Sequence, residues 1–447
     1  MSYFPITSQD RAEMLETIGV EQEGQLFGLV PESLRNPRIE LAPALSELEA
    51  QRWFRSLAAK NVNLKTHVSF LGAGCYEHFI PSVIRHMISR GEFYTSYTPY
   101  QPEASQGTLQ ALFEYQSFIC ELTGMDVSNG SHYDGATALA EAVFMAFQET
   151  KRRKVLVARS LHPDYTRVIR TYLGGTNYSM EVIGFGRGFE LDLNHLKREL
   201  AEEIAAVVVA SPNFFGLVED LTEVERLAHQ NGSLLIMTAH PLSFGFYKTP
   251  QGWGADIVAG EGQSLGMPPS FGGPWLGYLA ARRALMRRMP GRLVGFTHDS
   301  AGRRAFCLTL QAREQHIRRE RASSNICTNQ ALCAIAASIY LAAVGKTGVR
   351  RIAELNMENA FWLRSALDSI PKIQVLTRGP IFNEFVIQLP RAVQDVTEAL
   401  FEQGILAGLA LDQVDPEWKD QMLLCATEVR TTEELDRFVK ALKGIVG

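Results

Sequence analysis

The stretch Asp256-Ile257-Val258-Ala259-Gly260-Glu261-Gly262-Gln263-Ser264-Leu265-Gly266-Met267-Pro268-Pro269-Ser270-Phe271-Gly272-Gly273-Pro274 decides the fold. After Asp256 comes an uninterrupted apolar run, the pattern of a strand buried on both faces. The run gives way to glycines, prolines and small residues, where the main chain can lie close against a small anionic or planar ligand. Similar runs recur at residues 155–158, 180–183, 206–209, 234–237 and 276–280. Between them lie helical stretches such as 137–149, where Leu139, Ala142, Val143, Ala146 and Phe147 recur with helical spacing. Strands alternating with helices from about residue 65 to 285 predict a three-layer α/β domain with a mostly parallel sheet. Ligands are expected at the carboxyl ends of its strands.

The flanks read differently. Residues 1–64 form a helical arm: Ser8-Gln9-Asp10 is placed to cap a helix through Gly19, Pro31-Glu32-Ser33-Leu34 starts another, and 46–59 carries an apolar stripe. Beyond Arg321, helices over 330–344 and 348–369 precede strands at 372–376 and 385–389, a helix over 395–403 and a last helix from Thr432. The expected domains are therefore the arm (1–64), a large α/β domain (65–320) and an α+β small domain (321–447), the last of a size typical of independent units.

Composition narrows the function classes. The 447 residues are 46% hydrophobic and 21% charged, as in ordinary globular proteins. A net charge of −5 argues against a nucleic-acid partner. No run of 18 uncharged apolar residues predicts a membrane span, and the N-terminus carries neither a basic n-region nor an apolar h-region. The six cysteines form no Cys-x-x-Cys pair and read as reduced thiols of a cytoplasmic protein, with no metal role. His-Glu-x-x-His and Gly-x-Ser-x-Gly are both missing, and Gly260-x-Gly262-x-x-x-Gly266 has one residue too many for a dinucleotide fingerprint.

The loop over 256–274 resembles the one that carries the cofactor lysine in the glycine decarboxylases, the P-proteins of the glycine cleavage system. The catalytic copy in that family has His-Lys-Thr ahead of the same Gly-Gly-Pro. On that alignment the lysine position is Gln263, and an amide forms no Schiff base with pyridoxal phosphate. A large domain followed by a small α+β domain resembles the aspartate-aminotransferase fold of pyridoxal-phosphate enzymes (fold type I), which implies three further groups. A carboxylate keeps the pyridine nitrogen protonated, yet in Met237-Thr238-Ala239-His240 methionine stands at the aspartate position. A phosphate cradle needs free N–H groups at a helix N-terminus. The matching turn, Asp134-Gly135-Ala136-Thr137, has aspartate where the catalytic copy has serine, either as an ordinary N-cap or as a charge that repels phosphate. Ser160-Leu161-His162 resembles the family's Ser-x-His, so His162 is either a retained stacking residue or a structural histidine. A degenerate cofactor site is expected at Gln263, Met237, Asp134 and His162, with no self-sufficient catalytic set.

Two more segments resemble the N-terminal half of P-proteins, as does Gly72-Ala73-Gly74-Cys75-Tyr76-Glu77-His78. In Tyr97-Thr98-Pro99-Tyr100-Gln101-Pro102 the prolines remove N–H donors and present the tyrosines, in a functional loop or a structural turn. Ile317 to Gln330 is rich in Arg, Ser, Asn and Thr donors, suiting either an anion or interface site or a solvated face with helix-capping residues. The likeness runs from about residue 3 to the C-terminus. It implies the alpha subunit (subunit 1) of a two-subunit glycine decarboxylase, inactive alone, with pyridoxal phosphate on a lysine of the beta subunit. Such a complex decarboxylates glycine and passes the aminomethyl group to the lipoyl arm of H-protein. In an α2β2 assembly, Tyr97, Tyr100 and Gln101 would line the glycine or lipoyl approach, and Asn325 and Thr328 would lie near the cofactor phosphate in trans. Two alternatives stand beside this: a purely architectural subunit, and a self-sufficient enzyme using another lysine such as Lys248.

Overall fold

The computed structural model describes residues 5–35 and 37–447; residues 1–4 and Asn36 of the expected arm lie outside them. The chain divides into two compact units, 1–63 and 64–447. In the first, helices span Ser8–Ile18 and Glu47–Ala58. Thr7, not Ser8, is the first helix's N-cap, because it forms a reciprocal capping box with Asp10 three residues on. Gly19 closes that helix in the left-handed conformation, which costs glycine no Cβ clash. After Pro31 the chain makes a single 3-10 turn, Glu32–Leu34, rather than a helix. The helices and turns of this unit bury none of their side chains.

The second unit is built on a seven-stranded sheet. In spatial order its strands are Val127–Ser128, Gly277–Ala281, Ile257–Glu261, Leu234–Thr238, Ile204–Ala210, Lys154–Ala158 and Ser179–Ile183. The last five run parallel; Gly277–Ala281 is antiparallel to both of its neighbours. Side chains alternate across the pleat. Val155 and Val157 enter one core with Leu139, Val143 and Phe147 of the helix Gly135–Thr150, while Leu156 enters the other with Leu112 and Tyr115 of the helix Gln106–Thr123. Two apolar layers thus sandwich the sheet, which explains the near-continuous apolar runs.

Beyond the sheet, the hairpin Leu293–His298 and Arg304–Thr309 packs on the helix Gln106–Thr123. The two expected long helices form one stretch, Ala331–Asp368, interrupted at Gly345 with φ 59°. This stretch has the length and apolarity of a membrane span, but Ala334, Ala337, Tyr340 and Leu341 are buried in the protein core. A four-stranded antiparallel sheet follows, ordered Gln374–Val375, Glu384–Gln388, Gln421–Cys425 and Leu409–Ala410, with helices Val393–Phe401 and Thr432–Val446. Val68–Ser69 pairs in parallel with Ile405–Leu406, which brings the Gly72–His78 loop to the carboxyl ends of the central strands.

Candidate functional site

The helix Gly135–Thr150 begins at the edge of a small cavity, and its first turn shows what became of the anion cradle. Asp134 is the N-cap: its Oδ1 accepts from the Thr137 N–H at 2.7 Å. The next free donor, the Gly135 N–H, gives its hydrogen bond to Glu261 Oε2 at 2.9 Å. Glu261 Oε1 also accepts from the Gln263 and Leu276 N–H groups at 3.0 and 2.9 Å. A carboxylate of the chain itself therefore occupies the focus of backbone donors where an external anion would bind. Gly135 permits the approach, since a Cβ there would lie 2.5 Å from the Glu261 nitrogen. Burial pushes the Glu261 carboxyl up to about 7 against the opposing pull of these donors.

Gln263 is 1% exposed and fully engaged. Its Oε1 accepts from the Tyr76 N–H at 3.0 Å, and its Nε2 donates to the Tyr76 and Met267 carbonyls at 3.0 and 2.6 Å. The amide ties the glycine loop to the Gly72–His78 loop, so the lysine position now serves as a backbone bracket. Met237 is equally buried and packs in the apolar core. His162 caps the helix Pro163–Leu173: its Nδ1 accepts from the Asp164 N–H at 3.1 Å, so Nε2 carries the proton given to the Ala73 carbonyl at 2.9 Å. Burial lowers its pKa, and both ring nitrogens are committed to backbone. Tyr165 and Phe214 flank the ring at 5.2 and 5.1 Å.

Sequence reasoning missed the polar residues that close this site. Glu384 accepts from the Ala73 N–H at 2.6 Å and from the Tyr76 hydroxyl at 2.7 Å, and burial raises its carboxyl to about 7. Glu428 meets His78 Nδ1 at 2.7 Å, and His78 Nε2 meets His240 Nε2 at 3.1 Å. Burial and the neighbouring His78 depress His240 well below its usual range, so it is neutral. These partners come from residues up to 350 positions apart, and no local motif announces them. The space left, lined by Tyr76, His162, Tyr165, His240, Gln263 and Glu384 among others, measures about 70 Å³. Pockets for cofactor-sized ligands run to roughly 300–1,000 Å³.

Pyridoxal phosphate does not fit these residues. No lysine lines the cavity among the described residues, the cradle is filled by Glu261, and the buried Met237 offers no carboxylate. Lys248 lies elsewhere, its Nζ 4.0 Å from the centre of the Trp253 ring, which removes the basis for a self-sufficient site built on it.

A second cluster joins the two remaining segments. Tyr100, half exposed, stacks edge-on with His316 at 5.7 Å and lies beside Arg292. Arg292 in turn donates to the Cys327 carbonyl at 2.6 Å and to Asn329 Oδ1 at 2.7 Å. The structure thus brings Tyr100 and the 327–329 segment together through a residue that the sequence reading did not single out. Tyr97, 79% exposed, and Gln101, N-cap of the turn Pro102–Ala104, lie on the same loop. Asn325 lines a different cavity of about 500 Å³ with Tyr133 and Glu141, and Thr328 is half-buried within the segment that Arg292 holds.

A mostly parallel seven-stranded sheet, its ligand site at the carboxyl ends and a small α+β region define fold type I of the pyridoxal-phosphate enzymes. A sphingosine-1-phosphate lyase from Burkholderia pseudomallei shares the fold, with TM-score 0.68 at 13% identity over 93% of this chain and 94% of that one. The chain belongs to the glycine cleavage system P-protein family, whose model matches residues 1–442. It is 49% identical over 441 residues to the probable glycine dehydrogenase (decarboxylating) subunit 1 of Anoxybacillus flavithermus, covering 98% of each. It is also similar to a glycine decarboxylase (P-protein) of the glycine cleavage system whose crystal structure is in inhibitor-bound form, with TM-score 0.91, 44% identity and 100% of both chains covered.

Proposed function

We propose that this chain is the alpha subunit of a glycine decarboxylase and holds no cofactor of its own. The observation that carries this is the pair Glu261 and Gln263: one fills the anion cradle and the other replaces the lysine, in a chain similar to subunit 1 proteins over nearly its whole length. Pyridoxal phosphate then belongs to the beta subunit, and the complex decarboxylates glycine and loads the lipoyl arm of H-protein. Tyr97, Tyr100, Gln101, Asn325 and Thr328 are contributed to the beta site in trans, in an α2β2 assembly. Solvent exposure of Tyr97 and Tyr100 supports this reading, as does the held geometry of the 327–329 segment. The six cysteines are free thiols, which suits a cytoplasmic setting.

The test is reconstitution. The chain alone, incubated with pyridoxal phosphate, is expected to show neither visible imine absorption nor glycine decarboxylation. With a beta subunit activity is expected, and Tyr100→Phe and Gln101→Ala lower it. Full activity in both variants would leave the chain an architectural partner; activity of the chain alone would overturn the proposal.

A further inference from the structure

Arg292 is 7% exposed and makes no direct ion pair with a described residue, although the Glu314 carboxylate of the same small cavity is near enough to feel its charge. A buried guanidinium normally meets a carboxylate, because an unpaired charge is costly to desolvate. Here it spends its donors on two stretches far apart in the sequence, 98–100 and 327–329. Nη1 donates to Asn329 Oδ1 at 2.7 Å and Nη2 to the Cys327 carbonyl at 2.6 Å. Nη2 also lies 3.4 Å from both Thr98 Oγ1 and the Tyr100 hydroxyl, and the guanidinium stands over the Tyr100 ring at 5.4 Å. Asn329 relays the connection inward, donating to the Gly130 carbonyl at 2.7 Å and to Ser131 Oγ at 3.2 Å. Residues 96–101 and 322–330 have no helix or strand of their own, so these bonds stand in for the regularity that a ladder would provide.

We propose that Arg292 is a positioning residue for the reaction: it locks the Thr98–Tyr100 loop to the Cys327–Asn329 segment, so that both present one pre-set surface to the partner subunit. The role rests on the trans contribution proposed above. A planar fork is what the task requires, since it holds a carbonyl, an amide oxygen and a tyrosine ring in fixed relation. Lysine, a point charge on a flexible stem, cannot do so. The charge alone is therefore not enough.

Two measurements on Arg292→Met and Arg292→Lys separate the bracket from the reading it rests on. Hydrogen–deuterium exchange of the full chain should show the hydrogen-bonded amides of the two segments, Tyr100 in one and Ile326 and Cys327 in the other, losing protection together in both variants, while strand Ile204–Ala210 stays protected. Loss in one segment alone, or in neither, overturns the bracket. In the complex with the beta subunit, kcat for glycine should fall about tenfold to a hundredfold in both variants, as a displacement of about 1 Å can cause, while KM changes little. Arg292→Met with Asn329→Ala should slow the reaction by less than the product of the two single effects, because the side chains share one contact while Asn329 also holds Gly130 and Ser131 by itself. Unchanged kcat in Arg292→Met, or full additivity in the double variant, overturns the positioning role. If Tyr100→Phe and Gln101→Ala are also fully active, the trans contribution itself falls.

Discussion

Gln263→Lys puts the missing lysine back, and the structure says it will not restore a cofactor site. The amide makes three hydrogen bonds to buried backbone. A lysine can still donate to the Tyr76 and Met267 carbonyls, but it cannot accept from the Tyr76 N–H. That orphaned donor costs about 1–3 kcal/mol. The ammonium adds a desolvation penalty, offset where Glu261 or Glu384 ionises to pair with it. Because the whole stability of a folded chain is about 5–15 kcal/mol, the loss is visible as an earlier midpoint in urea unfolding. Titration with pyridoxal phosphate should give no visible imine band and no borohydride-trapped adduct on residue 263, since Glu261 still fills the cradle and about 70 Å³ remains. A trapped adduct in the single variant, at cofactor concentrations that load a beta subunit, would refute the claim that the site is closed by its own side chains.

Two further outcomes follow from the buried carboxyls and the cap. Burial raises the Glu384 carboxyl to about 7, above its unfolded value, so the folded chain binds the proton more tightly than the unfolded one. Stability contributed there is present at low pH and is lost as pH rises towards about 7, with a slope of at most about 1.4 kcal/mol per pH unit for one group. Glu384→Gln, which mimics the neutral form, should flatten this decline in urea unfolding measured across that range; an unchanged slope would place the titration elsewhere. Asp134→Ala removes the N-cap bond to Thr137 and should cost about 1 kcal/mol of unfolding free energy. Phosphate binding should not appear in it, because the Gly135 N–H remains bonded to Glu261; calorimetric titration with inorganic phosphate checks this.

Much of the central sheet was legible because parallel strands buried on both faces leave uninterrupted apolar runs, such as 206–209 inside the observed Ile204–Ala210. The reversed direction of Gly277–Ala281 was not legible, since strand orientation is set by tertiary pairing rather than by composition. The hairpin Leu293–His298 and Arg304–Thr309 escaped notice because its strands are partly exposed rather than buried on both faces, although Asp299 and Gly302 in its turn were the local signal that could have found it. At the site, Gln263, Met237 and Asp134 stood out through likeness to a family. What fills the space they vacated did not: Glu261 is one more residue in a glycine-rich loop until Gly135, 126 positions earlier, is seen to donate to it. Arg292 likewise becomes meaningful only when two irregular segments converge on it.

The Glu261 contact also sets how this chain competes with any phosphate-bearing ligand for its own helix end. A free phosphate competes for a site through its concentration, whereas a carboxylate tethered to the same backbone is present at a fixed, high local concentration that no supply can dilute. A phosphate-bearing ligand must therefore outcompete that local concentration before it can enter the cradle. In the complex proposed above, this chain would then draw little of a scarce cofactor away from the beta subunit.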